Sequence, residues 1–129
     1  MSTKKPNPDR GRPKIDAKID AKIDEKIDEK IDNVLAELWK KNLPTVRERL
    51  NLLDNFGAAA ASGKIDEPSR LEALSIAHKL AGSLGMYGYQ QGTEIASKME
   101  HILKSPTPET LATLRSLAVE LRKSLAPGL

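Results

Sequence analysis

The chain has no cysteine, which removes disulfides and every thiolate metal site and suits a reducing compartment. Aromatic residues make up 3% of it, too few to stack on a run of exposed bases. No apolar stretch approaches the ~20 residues that a membrane span needs. The opening segment, Met1 to Pro13, is polar and lacks the apolar core of a secretory leader. With two histidines and no cysteine, a metal site would need several carboxylates as partners, so none is expected. Basic residues outnumber acidic ones by only 21 to 18, and the two signs are interspersed. The charge therefore reads as a solvated surface with no nucleic-acid or membrane partner, and the expected location is the cytoplasm.

What the chain does have is leucine, isoleucine and alanine, which favour helices over strands. Residues 1–13 carry Pro6, Pro8 and Pro13 among polar side chains and are expected to be a disordered tail. From Lys14 to Asp32 a four-residue repeat, Lys-Ile-Asp-Xaa, places isoleucines at 15, 19, 23, 27 and 31. On a helix each such step advances the apolar stripe by about 40°, giving a broad spiral instead of one straight seam. Like charges stack at i, i+4, which is mildly repulsive. Residues 14–32 therefore read as a helical spacer, with self-association of the repeat as the alternative.

Residues 33–129 carry the pattern of a helical domain. Val34, Leu35, Leu38 and Trp39 are candidate apolar anchors, and Trp39 is read as the residue that docks the preceding arm. Pro44 is expected to break or restart the helix. A helix from Pro44 to Ala61 then presents Val46, Leu50, Leu53, Phe56 and Ala60 on one face and stops at Ser62-Gly63. Asp66 is a plausible N-cap for a third segment reaching about Leu84, with Gly85 and Gly88 opening a turn. A fourth helix covers about Tyr89 to Leu103, with Ile95, Met99 and Ile102 inward. Thr107 caps, and Pro108 begins, a last helix bearing Leu111, Leu114, Leu117, Leu121 and Leu125. Short connections imply antiparallel neighbours. The expected fold is all-α: an antiparallel four-helix bundle with an N-terminal helical extension.

In the third segment, Leu71, Leu74, Ala77, Ala81 and Leu84 recur at helical spacing as the expected buried face. That puts His78 about 90° away, at the solvent edge. Gly82 follows one turn later on the same strip, with Ser75 one turn earlier and Lys79 adjacent. A glycine inside a helix costs about 1 kcal/mol relative to alanine. Here it leaves bare backbone beside an imidazole, where another protein surface could approach. A boundary histidine taken alone is more often structural than functional. His101 has no such setting and reads as structural or incidental, while Tyr87 and Tyr89 read as packing over the end of the bundle.

The stretch Ala77-His78-Lys79-Leu80-Ala81-Gly82 resembles the Ala-His-x-Leu-Lys-Gly signature of the histidine phosphotransfer (HPt) family. Gly88 matches the family's glycine at the next turn, and Glu100 falls where the family places a Gln or Glu near the imidazole. The resemblance runs from about Val34 to Leu125. It implies a phosphorelay carrier in which His78 is the phosphoacceptor, with Ser75, Lys79 and Gly82 meeting the partner. It also implies receiver domains of response regulators and a sensor or hybrid histidine kinase as partners. The chain would need no cofactor of its own, and Mg²⁺ would sit on the receiver. No glycine-rich phosphate loop is present, so no autonomous kinase activity is expected. An imidazole ordinarily titrates near ~6.5 and so supplies a neutral nucleophile at cytoplasmic pH. Where the family commonly has lysine three residues after the histidine, this chain has Ala81. Lys79 is then either the substitute cation or an ordinary solvated lysine, and Glu100 either an imidazole acceptor or a surface acid. A non-catalytic adaptor that docks receivers, or an oligomerisation module, is the competing reading.

Overall fold

In the computed structural model, helix α1 runs from Lys14 to Ala61 and passes through Pro44 without interruption. The described residues are 14–129, with side chains described from residue 27 onward, so the expected tail at 1–13 lies outside them. The break read at Pro44 is thus corrected. A proline inside a helix costs ~3 kcal/mol, through one missing N–H and the clash of its ring with the carbonyl one turn back. Lys40, whose carbonyl loses that partner, is exposed, as are Lys41 and Pro44. Trp39, Val46, Leu50 and Leu53 are buried on either side of the proline. At ~1.5–3 kcal/mol for each large side chain, that burial outweighs the lost hydrogen bond.

The chain divides into two compact units, Met1–Leu38 and Trp39–Leu129, a division further along than the Asp32–Asn33 boundary read from composition. Of the four apolar anchors expected between Val34 and Trp39, Trp39 alone enters the core. Val34 and Leu38 are exposed and Leu35 is half-buried.

In the second unit, Val46, Leu50, Leu53, Phe56 and Ala60 form the buried stripe of α1. The helix stops where Gly63 takes φ 74°, and the Lys64 amide reaches back to the Ala59 carbonyl at 3.0 Å. Helix α2 (Glu67–Ser83) starts at Asp66, whose carboxylate accepts from the Ser69 amide at 2.8 Å. Its hydrogen bonds from Ser69 hold the Asp66 carboxyl below its ordinary value. A 3₁₀ turn (Leu84–Tyr87) closes on Gly88 at φ 91°, and α3 (Gln90–Lys104) follows.

Thr107 caps α4 (Pro108–Leu111) with a capping box. The single last helix expected from the leucine pattern is interrupted there. The Thr113 hydroxyl and amide both bond the Thr110 carbonyl, at 2.6 and 3.0 Å, which tightens the turn before α5 (Leu114–Leu125). Leu114, Leu121 and Leu125 are fully buried, while Leu111 and Leu117 are half-buried.

These helices make an all-α bundle, with no strand among the described residues. No helix among the described residues is long and apolar enough to cross a membrane. One end of the bundle closes on Trp39. Its ring packs 5.2 Å from Tyr87 and 4.8 Å from Tyr89, and its Nε1 donates to the Gly128 carbonyl at 2.9 Å. A Cβ at Gly128 would run into the Tyr89 hydroxyl and the indole. Trp39 thus ties α1 to the chain's last turn (Ala126–Gly128) and to the loop after α2.

Candidate functional site

The buried face of α2 is Ala73, Ile76, Ala77, Leu80, with Leu84 continuing it into the 3₁₀ turn. This stripe is rotated by about 80° from the one read in the sequence. Leu71 is exposed, and Leu74 and Ala81 are half-buried. Alanines and leucines occupy both candidate faces, so composition around the helix could not choose between them; α3 packing on the Ala77–Leu80 side does. The correction moves His78 well beyond the edge, about 140° from the centre of the buried stripe. Its side chain is 73% exposed.

Beneath the ring lies Glu100, carried by α3. Its Oε2 stands 2.7 Å from His78 Nδ1, and its side chain is only 15% exposed. The two helices are also tied by Arg70 of α2, whose Nη1 donates to the Leu103 carbonyl at 2.7 Å. Buried Met99 and Leu103 on α3, and Leu80 on α2, fix the rotation of both helices, so Glu100 is aimed by the core. The hydrogen bond with His78 pulls the Glu100 carboxyl below its ordinary 4.5, against an opposing desolvation, and the Lys104 ammonium 3.5 Å away adds to the effect. An ionised carboxylate only accepts, so Nδ1 carries the proton. In the neutral ring the lone pair is then on Nε2, the nitrogen that faces away from Glu100.

Gly82 is exposed, with nothing within 4 Å of the place a Cβ would take. The helix surface one turn after His78 is therefore open. Ser75 and Lys79 reach toward α1: they line a shallow groove between α1 and α2 with Thr45, Glu48, Arg49 and Glu72. Lys79 makes no ion pair among the described residues, and it is Lys104 that stands beside the His78–Glu100 pair. Sequence reasoning did not single out Lys104. Its signal was the i, i+4 spacing from Glu100, which places both side chains on one face of α3. His101, next to Glu100 in sequence, lines a separate groove with Ser97, Lys98, Ile102, Thr113 and Leu117.

An exposed imidazole with one nitrogen hydrogen-bonded to a carboxylate and the other free can act as a nucleophile toward an incoming electrophile. The helix surface at Gly82, one turn away, is open beside it. A family model described as the Hpt domain matches residues 34–125, which is most of the chain. Neither the curated proteins nor the solved structures contain a significant match.

Proposed function

The chain belongs to the Hpt domain family, whose members serve phosphorelays and interact with receiver domains and kinases of two-component systems; on that premise we propose that His78 is the phosphoacceptor. His78 takes a phosphoryl group from the aspartyl phosphate of a receiver domain and passes it to another. Nε2 attacks phosphorus as the bond to the aspartate oxygen breaks, and the aspartate leaves as a carboxylate. Nδ1 keeps its proton, so positive charge develops on the ring as the N–P bond forms. The Glu100 carboxylate 2.7 Å away stabilises that charge. Such transfer depends on in-line positioning and charge neutralisation, with little covalent chemistry from the carrier. The receiver would contribute the Mg²⁺ that neutralises the phosphoryl oxygens.

The single observation that carries the reading is the Nδ1–Glu100 contact under an otherwise exposed ring. Gly82 supplies the clearance for the receiver, Ser75 and Lys79 meet it on the α1 side, and Lys104 stands beside the Glu100 carboxylate. The test is incubation with a phosphorylated receiver, followed by mapping of the acid-labile phosphate. Label on His78 is the expected result; label elsewhere, or none with any of several receivers, leaves the docking-adaptor reading.

A further inference from the structure

Half of the eight large apolar side chains that are exposed among the described residues fall within one short stretch of α1: Ile27 (48%), Ile31 (50%), Val34 (54%) and Leu38 (39%). Their spacing of four, three and four residues differs from the constant four of the preceding repeat. On a helix it keeps all four within about 60° of one another, a straight seam of the kind that pairs helices. The isoleucine spiral straightens at this point because Val34 comes one residue early.

The charges beside the seam have a handed order. Every isoleucine of the repeat is preceded by a lysine and followed by an aspartate. A neighbour in sequence is displaced by about 100° around a helix, so lysines line one flank of the seam and aspartates the other. Lys30 on one side, with Asp28 and Asp32 on the other, are the members whose side chains are described, and all three are exposed. Two identical helices side by side and pointing the same way are related by a two-fold axis along their length. That operation sets the lysine flank of each against the aspartate flank of the other, on both sides of the seam. Antiparallel pairing sets lysine against lysine and aspartate against aspartate. Glu37 stands on the lysine side, so the charge argument ends at Asp32 while the apolar seam continues to Leu38.

We propose that residues 27–38 pair with a second copy of this chain in parallel orientation. Ile27, Ile31, Val34 and Leu38 form the contact, and the segregated charges select its direction. The seam is only about three turns long, so the dimer is weak and depends on concentration.

The absence of cysteine makes the test direct. In the full-length chain, Ile27→Cys and Leu38→Cys are made separately, oxidised alone and oxidised as a mixture. Parallel pairing in register gives a disulfide-linked dimer from each variant by itself. Covalent dimer only in the mixture indicates antiparallel pairing and overturns the proposal. Sedimentation equilibrium of the parent is expected to rise toward twice the 14.1 kDa chain mass as concentration increases. A parent that is still monomeric at about 1 mM overturns it as well. The double variant Asp28→Lys/Asp32→Lys makes both flanks basic and should weaken association at least tenfold; unchanged association would remove the charges from the argument. Phosphate acceptance by His78, measured in the same preparations, has no bearing on these outcomes, so the two proposals fail separately.

Discussion

The α2–α3 face and the α3–α5 face each expose one histidine, and the two are furnished differently. His78 stands over Glu100, with clear space at Gly82 one turn along. His101, one residue from Glu100 in sequence, points into a groove with Ile102, Thr113 and Leu117 and has no carboxylate partner among the described residues. Exposure alone therefore does not distinguish them. What differs is the element across from each ring: α3 offers α2 an acid held by buried Met99 and Leu103, while α5 and the turn before it offer α3 a leucine and a threonine. The imidazole proposed as phosphoacceptor is thus furnished by two helices, and the neighbouring histidine serves as an internal control.

The strongest way to break this contrast is to exchange the histidines for glutamine one at a time. His78→Gln should abolish labelling by a phosphorylated receiver with helicity nearly unchanged, because the side chain contributes little to the core. His101→Gln should label at the parent rate. Mass mapping of the phosphate decides it, and label on His101 would dissolve the distinction.

Next in size is the acid beneath the ring. Glu100→Gln keeps the shape and removes the charge, and should slow labelling roughly tenfold, the equivalent of ~1.4 kcal/mol between a charge-assisted and a neutral hydrogen bond. A rate equal to the parent's would mean that Glu100 only packs against α2. The same variant sharpens the pH behaviour. The Glu100 carboxyl is lowered in the fold, so its stabilisation is complete above its ordinary 4.5 and is lost as pH falls through the folded value. Parent and Glu100→Gln should therefore differ in thermal midpoint near neutrality and converge in acid.

Gly82→Leu separates access from stability. Helix propensity should make the variant about 0.5–1 kcal/mol more stable, since the glycine has open space around it. Labelling by a receiver should nonetheless slow severalfold because the side chain fills the approach. Unchanged kinetics would show that the partner docks elsewhere. The smallest expected effect is at Lys104. Its i, i+4 pair with Glu100 is exposed on the lysine side, so Lys104→Ala should cost only about 0.3–0.5 kcal/mol and leave labelling within a fewfold of the parent. A loss as large as that of Glu100→Gln would promote it to the principal cation of the site.

How much of this was legible depends on whether the signal was local. Asp66, Gly63, Gly88 and Thr107 were readable as stops and starts, because capping and positive φ involve residues a few positions apart. The buried stripe from Val46 to Ala60 was readable because its opposite face, with Arg47, Glu48, Asn51 and Asn55, is mostly polar. The stripe of α2 was misread by about 80°, since apolar side chains lie on more than one side of it. Glu100 was found through the resemblance and not through spacing, as twenty-two residues and a turn separate it from His78.

By itself, then, the amino-acid order determined the all-α class, most helix ends in the Trp39–Leu129 unit, and the histidine on which the proposed chemistry rests. All of these rest on propensities, caps and a short motif acting within a turn or two of helix. Only the tertiary structure decided that α1 continues through Pro44, that α2 buries Ala73, Ile76 and Leu80 instead of Leu71, and that Trp39 closes on Gly128. It also decided which nitrogen of His78 faces a carboxylate. Each of these depends on which neighbour fills the space across a helix interface, a quantity set by packing of distant segments and absent from any local window of the chain.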